Sequence, residues 1–210
     1  DPEAEIVGRE LGVPVLVRPA GGLATGLYVD QRTNRQALRA LAAGRRVLNL
    51  FAYTGVFSSS LLAAGAASAV DVDLSEPALD TARRNAALGG VADRHRAVCA
   101  DCRAFLAGSA ETWDLAICDP PTAAQGAGGW VARRDYGDLL RHLAPRLAPG
   151  AVVLACVNTL GERCDLGPLL RQSLPDAVAL DGPALGEDLP QLKGFPEGIP
   201  FRSWLARRAG

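Results

Sequence analysis

Three aspartates and one cysteine stand at the ends of apolar runs in this 210-residue chain. Asp73, Asp101 and Asp119 each follow such a run directly, and Cys156 ends another. If the runs are parallel strands of an open α/β sheet, their carboxyl ends meet along one edge, where ligands of such sheets bind. We therefore expect these four side chains to surround one cleft.

A turn of five residues, Phe51-Ala52-Tyr53-Thr54-Gly55, leads from a strand into a helix. Free backbone amides at the start of a helix can hold the charged or polar end of a ligand. The turn has one glycine where the dinucleotide fingerprint needs three, so a pyrophosphate fits poorly. Asp73 lies 18 residues beyond Gly55, close to the spacing at which a carboxylate accepts both hydroxyls of a ribose. Asp101 is placed to receive an adenine amino group or to cap the next helix.

The segment Asp119-Pro120-Pro121-Thr122 carries a further candidate group. Two successive prolines hold the backbone extended, so the aspartate and the neighbouring carbonyl groups project into the cleft. Cys118 lies inside the preceding strand and is expected to pack in the core. Cys99 and Cys102 form a single C-x-x-C pair with no second pair or histidine cluster, so no metal site is predicted.

Alternating strands and helices must position these groups. A hairpin is predicted first, from strands at 13–18 and 26–29, and a helix over 31–43 follows. From residue 46 onwards apolar strands alternate with helices, which is typical of a doubly wound, mostly parallel α/β sheet. The strands are predicted at 46–50, 67–72, 97–100, 113–118, 151–157, 177–180 and 201–207, and the helices at 56–64, between Ser75 and Gly89, near 103–106, and at 136–147 and 165–173. Residues 1–44 are interpreted as the hairpin and helix that lead into a catalytic domain of residues 45–210.

The composition restricts the class of protein. Hydrophobic residues make up 49% and charged residues 21%, as in ordinary globular domains, and the net charge of −1 does not indicate a nucleic-acid binder. No apolar run approaches the ~18 residues of a membrane span. Five cysteines, an odd number, do not suggest a secreted disulfide framework. We expect a cytoplasmic protein without membrane or metal, with His95 and His142 at the surface.

Several segments together resemble one known family. These are 25–35, 48–55, 72–75 and 119–121, and in the tail 188–190 and 196–198. They look like the corresponding segments of the class I S-adenosylmethionine-dependent methyltransferases that form 5-methylcytosine in bacterial large-subunit ribosomal RNA. The similarity extends from about residue 12 to residue 208.

The resemblance implies a Rossmann-like fold of seven strands, six parallel and the last reversed, with helices on both faces. It also implies S-adenosylmethionine as cofactor, with the turn 51–55 at its methionine part, Asp73 at the ribose and Asp101 at the adenine. The full set of implied cofactor contacts is Gln31, Arg35, Phe51, Ala52, Tyr53, Thr54, Gly55, Asp73, Leu74, Asp101 and Asp119. Gln31 and Arg35 would close over the cofactor and face the RNA.

Two chemistries are open at the target base, and the resemblance to the 5-methylcytosine-forming family favours the first, methylation of cytosine carbon 5, over the second, methylation of guanine N7. In the first, the thiolate of Cys156 adds to carbon 6 of cytosine, and Asp119 orients the base or removes its proton. The family places its cysteine in a Ser-Cys-Ser, where this chain has Ala155-Cys156-Val157-Asn158, and a shift of two residues puts Asn158 there. A sister family that methylates guanine N7 of the same RNA has asparagines at that position. It needs no cysteine because that nitrogen is already nucleophilic.

The resemblance implies large-subunit ribosomal RNA as the partner. A homodimer is possible. Family members carry an N-terminal RNA-binding module of the PUA type before the segment seen here. The chain contains no methionine, so we expect a piece of a longer product. The alternative from another class is a cofactor-binding RNA module that performs no catalysis.

Overall fold

A computed structural model describes residues 4–21, 25–124, 129–158, 165–183, 185–189, 192, 194 and 201–210, with only the backbone at 158 and 201. The strands are β1 (Ile6–Glu10), β2 (Val13–Val17), β3 (Arg46–Leu50), β4 (Ser68–Asp73), β5 (His95–Cys99), β6 (Trp113–Cys118), β7 (Ala123–Ala124), β8 (Trp130–Val131), β9 (Leu147–Asn158), β10 (Val178–Leu180) and β11 (Phe201–Arg207). The helices are α1 (Arg32–Arg39), α2 (Val56–Ala63), α3 (Glu76–Leu88), α4 (Cys102–Gly108), α5 (Ala132–Leu143) and α6 (Leu166–Ser173). No helix in these ranges is both long and apolar enough to cross a membrane.

Seven strands form the central sheet in the order β10-β11-β9-β6-β3-β4-β5. Neighbouring strands pair in parallel, except that β11 runs antiparallel to both β9 and β10. The predicted fold, with six parallel strands and the last one reversed, is therefore confirmed. The chain runs from β3 outwards to β4 and β5 and then returns to β6 on the other side of β3. The switch point of the sheet, where ligands bind in such folds, thus lies between β3 and β6.

Helices cover both faces of this sheet. On one face α4, α5 and α6 contribute Leu106, Tyr136 and Leu170 to a buried layer, and on the other α1 and α2 contribute Leu38 and Leu61. Successive side chains of a strand point to opposite faces, so β9 is shared between the two layers. Its Ala155 belongs to the first layer and its Cys156 to the second, which places the thiol on the α1 face.

The N-terminal hairpin differs from the predicted one. It pairs β1 with β2, whereas residues 26–29, predicted as the returning strand, form no strand. The backbone groups of Gly26 are used elsewhere: its N–H donates to the Tyr53 hydroxyl and its carbonyl accepts from the Thr54 hydroxyl. These contacts with a distant turn replace the ladder that the alternating sequence suggested.

Two further predictions need correction. The helix predicted at 136–147 begins earlier, at Ala132, and ends at Leu143. It ends there because Pro145 cannot continue an α-helix, and the chain passes into a 3-10 turn.

His95 is predicted at the surface, but its side chain is only 3% exposed and its Nε2 lies 2.7 Å from the carboxylate of Asp71. A buried aspartate in the neighbouring strand requires such a partner.

Candidate active site

An open cavity of about 440 Å³ lies at the carboxyl ends of β3 and β6. Seven of the predicted site residues line it, namely Gln31, Arg35, Phe51, Ala52, Tyr53, Thr54 and Asp119. They come from the start of α1, the turn after β3 and the first residue after β6. Packing of these elements therefore brings most of the predicted cofactor contacts to the switch point of the sheet. Cys156 is not part of the cavity wall.

The turn after β3 is strained. Phe51 and Tyr53 have φ values of 58° and 50°, in the left-handed region that non-glycine residues rarely adopt. Such conformations cost of the order of 1–3 kcal/mol each and concentrate at ligand sites. The adjoining strand end stabilises the turn, because the Ala52 N–H donates to Val72 O at 3.1 Å and the Tyr53 N–H donates to Asp73 Oδ2 at 2.9 Å.

Aromatic contacts support the same turn from two sides. The Phe51 ring packs on Trp130 with centroids 4.8 Å apart, and the Tyr53 ring packs on Tyr28 at 5.4 Å. Trp130 in turn donates its Nε1–H to the carbonyl of Pro121 at 2.8 Å. The two strained residues thus connect the turn to the Asp-Pro-Pro loop on one side and to the segment before α1 on the other.

Gly55 is the one residue of the turn that must be glycine. Its φ is 67°, and a Cβ atom there would collide with the carboxylate of Asp71 and with Ala82 of α3. The chain therefore passes tightly over β4 before α2 begins at Val56. This close approach, together with the left-handed backbone, explains the glycine at position 55.

Asp73 and Asp101 both have structural contacts. The Asp73 carboxylate accepts the backbone N–H groups of Tyr53 and Ser75, each at 2.9 Å, so it shapes the turn. Asp101 caps α4, because its Oδ1 accepts from the backbone amides at positions 103 and 104. The capping role considered for Asp101 is thus observed, and the ribose and adenine contacts of these residues stay predictions. Leu74, next to Asp73, is exposed.

Asp119 lies in the cavity wall, where its Oδ2 accepts from Gln31 Nε2 at 2.9 Å. The amide of Gln31 is oriented by Asn34, whose Nδ2 donates to Gln31 Oε1 at 2.7 Å. Burial among protein atoms, reinforced by the charge of Asp30, raises the pKa of Asp119 to about 7, although Arg35 and the Gln31 hydrogen bond act in the opposite direction. The carboxyl group can therefore change its charge near neutral pH.

Cys156 lies behind Gln31 and is fully buried. Its Sγ is 3.9 Å from Gln31 Oε1 and 4.0 Å from Asn34 Nδ2, so its side-chain partners are uncharged amides. Burial, together with the nearby charge of Asp119, raises the pKa of the thiol well above its usual range. The carbonyl of Cys156 accepts a hydrogen bond from the Tyr136 hydroxyl at 2.9 Å. This environment is typical of a packed thiol rather than an activated one.

Arg35 is buried against the N-terminal hairpin. Its Nε and Nη2 donate to the two carboxylate oxygens of Glu10 at 2.5 and 2.7 Å, and Nη2 also donates to Tyr28 O at 2.9 Å. The guanidinium lies over the ring of Phe57. Arg35, which lines the cavity, is therefore held by the hairpin through Glu10.

Asn34 and Glu10 contact site residues but were not predicted from the sequence. A signal for Asn34 was present, because residues 31, 34 and 35 have the spacing that places side chains on one face of a helix. Glu10 carried no such signal, since its partner lies 25 residues away. Among the residues that the structure describes, no group of three or more His, Cys, Asp or Glu side chains is placed to hold a metal ion.

The fold and the cavity define a doubly wound α/β protein with a ligand-sized cavity at its switch point. A sequence profile of the S-adenosylmethionine-dependent methyltransferases matches residues 12–193, so the chain belongs to this family. The predicted cofactor, S-adenosylmethionine, is thereby confirmed.

One similar protein is "Ribosomal RNA large subunit methyltransferase K/L" of Pseudomonas putida (strain GB-1). It is 42% identical over 174 residues, which cover 81% of this chain and 24% of that protein. The protein of the same name from Pseudomonas syringae pv. tomato (strain ATCC BAA-871 / DC3000) is 36% identical over 184 residues, covering 82% and 24%. The chain thus spans about a quarter of the length of these curated relatives.

Solved structures show the same fold. The crystal structure of SMU.776 complexed with SAH matches with a TM-score of 0.88 and 24% identity, over 99% of this chain and 56% of that chain. The SAM-dependent methyltransferase from Agrobacterium tumefaciens matches with a TM-score of 0.76 and 24% identity, over 98% and 70%. At this identity the likeness shows the fold only.

Proposed function

We propose that this chain transfers a methyl group from S-adenosylmethionine to N7 of a guanine in large-subunit ribosomal RNA. The relatives that carry the name "Ribosomal RNA large subunit methyltransferase K/L" support RNA as the substrate. The observation that carries the choice of atom is the location of Cys156, which lies behind Gln31 and outside the cavity wall.

The residues that line the cavity suit S-adenosylmethionine. One wall holds the Asp119 carboxyl group with Asp30 nearby, which suits a ligand that carries positive charge. The turn 51–54 also lines the cavity, and Asp73 holds its backbone in the strained form. The residues that would hold the cofactor are therefore Asp119 and this turn, and bound S-adenosylmethionine would supply an electrophilic methyl group on a sulfonium.

Methylation at carbon 5 of cytosine would place demands that Cys156 does not meet in this structure. Carbon 5 becomes nucleophilic only after a thiolate has added to carbon 6, so the sulfur must be ionised and must contact the base. The buried thiol has a raised pKa and amide partners, whereas activated cysteines lie beside cations or helix N-termini.

Methylation of guanine N7 needs positioning instead. The lone pair of N7 would accept the methyl group, the electron pair of the broken S–C bond would stay on sulfur, and the base would acquire the positive charge. No proton leaves N7, so no general base is required at that atom. The ionised carboxylate of Asp119 at the cavity wall would stabilise this developing charge.

Gln31 and Asn34 would hold Asp119 ready for this role. Because Asn34 donates to Gln31 Oε1, the Gln31 amide must present its N–H to Asp119. A donor facing a carboxyl group favours its charged form. The pair therefore opposes the effect of burial and keeps an ionised carboxylate accessible near neutral pH.

Labelled S-adenosylmethionine and ribosomal RNA that lacks modifications provide the test. After incubation with the protein, the RNA is digested and the labelled nucleoside is identified. We expect 7-methylguanosine. Labelled 5-methylcytidine would contradict the proposal and favour the Cys156 route, and binding of the cofactor without transfer to any RNA would favour the non-catalytic RNA module.

A further inference from the structure

Tyr28 presents an aromatic ring to solvent at the cavity. The residue is 52% exposed and is the one aromatic among the large exposed hydrophobic residues of the described ranges. It also lines the cavity beside Asp119. An aromatic face that is open to water at the entrance of a site can receive a planar ligand by stacking.

Hydrogen bonds hold the backbone on which Tyr28 stands, and an aromatic contact restrains its ring. Its neighbour Gly26 bonds to the strained turn through both backbone groups, with Tyr53 Oη at 3.1 Å and Thr54 Oγ1 at 2.7 Å. The carbonyl of Tyr28 itself accepts from the buried Arg35 at 2.9 Å. The Tyr53 ring packs against it at a tilt of 49°. A ring fixed in this way loses little entropy when a ligand stacks on it.

Tyr28 also lies close to the charged part of the site. Burial of one side of the ring raises the pKa of its phenol, and the charges of Tyr53, Asp119 and Asp30 add to this effect. Tyr28 and Asp119 line the same cavity, and about half of the Tyr28 surface is open to solvent. A base resting on Tyr28 would be near Asp119.

We infer that Tyr28 is the stacking surface for the nucleobase that receives the methyl group. The inference rests on the proposed function in taking RNA as the substrate. A target base must leave its stack to enter such a pocket, and an aromatic face can replace part of the lost stacking. Stacking uses the π-face that every base has, so Tyr28 would bind the base without deciding which base is chosen.

Saturation-transfer NMR can test the inference without requiring turnover. It would measure the binding of guanosine to the chain in the presence of excess S-adenosylhomocysteine. Tyr28→Ala should weaken guanosine binding about tenfold, as expected for loss of one base–aromatic stack. Tyr28→Phe keeps the ring and should bind within about twofold of the wild type. Val29→Ala is the matched control, because Val29 is 51% exposed and lies outside the cavity wall.

Titration with S-adenosylhomocysteine by itself separates the two ligands of the cavity. Tyr28→Ala should change the affinity for S-adenosylhomocysteine less than the affinity for guanosine. A loss confined to S-adenosylhomocysteine would overturn the inference, because Tyr28 would then be a cofactor contact. Equal guanosine binding by wild type and Tyr28→Ala, or no binding of any nucleoside by the wild type at millimolar concentration, would also overturn it.

Repeating the NMR measurement with cytidine in place of guanosine separates failure of this inference from failure of the proposed function. If only cytidine binds, and Tyr28→Ala weakens it, Tyr28 is confirmed as the stacking surface and the proposed guanine acceptor is wrong. If guanosine binds and Tyr28→Ala has no effect, the acceptor remains supported and the stacking role is wrong.

Discussion

Asp71 and Asp119 are aspartates of the same central sheet in opposite surroundings. Asp71, inside β4, is fully buried and is matched by three side chains. Asn49 Nδ2 and Ser58 Oγ donate to its Oδ1 at 2.8 and 2.5 Å, and His95 Nε2 lies 2.7 Å from its Oδ2. This carboxyl group lies beneath the turn that forms the cavity wall, and its partners fix β3, α2 and β5 around it.

Asp119, directly after β6, has a different balance of contacts. Its side-chain hydrogen bond comes from Gln31, while the neighbouring carboxyl group of Asp30 and the surrounding protein favour the neutral form. Oδ1 of Asp30 is itself buried without a hydrogen-bond partner in the described part of the chain. An aspartate whose oxygens are all hydrogen-bonded, like Asp71, stabilises the fold. An aspartate with fewer partners beside a cavity, like Asp119, is available to a ligand.

The largest effect should come from removing the charge at Asp119. Asp119→Asn keeps the shape and the contact with Gln31, but we expect methyl transfer to fall about a hundredfold or more. Initial rates with labelled S-adenosylmethionine would measure this, with thermal unfolding as the check that the fold is intact. A rate within tenfold of the wild type would show that Asp119 is not needed for its charge.

Substitution of Asp71 should lower the stability of the fold rather than act directly on methyl transfer. Asp71→Ala leaves several buried polar groups without their partner, and we expect the free energy of unfolding to fall by about 3 kcal/mol. Urea unfolding would measure it. Asp80→Ala is the control, since Asp80 is an exposed residue of α3 paired with Arg83, and its loss should change little. Similar effects of the two substitutions would contradict the structural role of Asp71.

The ionisation of Asp119 predicts a pH dependence of cofactor binding. With its pKa raised to about 7, Asp119 is mostly neutral at pH 6 and mostly ionised at pH 8. The ionised form attracts a sulfonium, so the affinity for S-adenosylmethionine relative to S-adenosylhomocysteine should rise up to about tenfold over this interval. Calorimetric titrations at both pH values would measure the ratio. Asp119→Asn should make the ratio independent of pH, and persistence of the rise in that variant would assign it to another group.

The smallest effect is expected at Cys156. Cys156→Ser should leave methyl transfer within about threefold, because guanine N7 needs no thiolate. Cys118→Ser is the matched control, a second buried cysteine in the adjoining strand β6. Loss of transfer in Cys156→Ser with normal transfer in Cys118→Ser would show that the thiol attacks the base and that the acceptor is cytosine.

Much of the site could be predicted from the sequence because its residues follow strands. Strand ends alone place Asp119 and the turn 51–55 at the cleft, and Asp119 and residues 51–54 of the turn line the cavity. The left-handed conformations of Phe51 and Tyr53 could not be predicted, since neither residue type favours them. They exist because the Tyr53 amide bonds to Asp73 and the rings pack on distant aromatics.

Two of the wrong predictions have a common cause. Residues 26–29 alternate like a strand, and His95 has no acidic or nucleophilic partner at a suitable spacing along the sequence. In the folded chain Gly26 is bonded to the turn after β3, and His95 pairs with Asp71 of the neighbouring strand. In each case the hydrogen-bond partner of a polar group lies in another element, and the nearby residues in the sequence do not indicate that partner.

The sequence by itself determined the strands, the helices and the edge of the sheet where the site lies. Apolar periodicity, capping residues and strand-ending aspartates act over a few residues, so they can be recognised along the chain. Only the tertiary structure decided that Gln31 meets Asp119, 88 residues away, and that Cys156 lies behind both. Side-chain burial and hydrogen bonding depend on which elements pack together, and these determine whether a carboxyl group or a thiol can take part in chemistry.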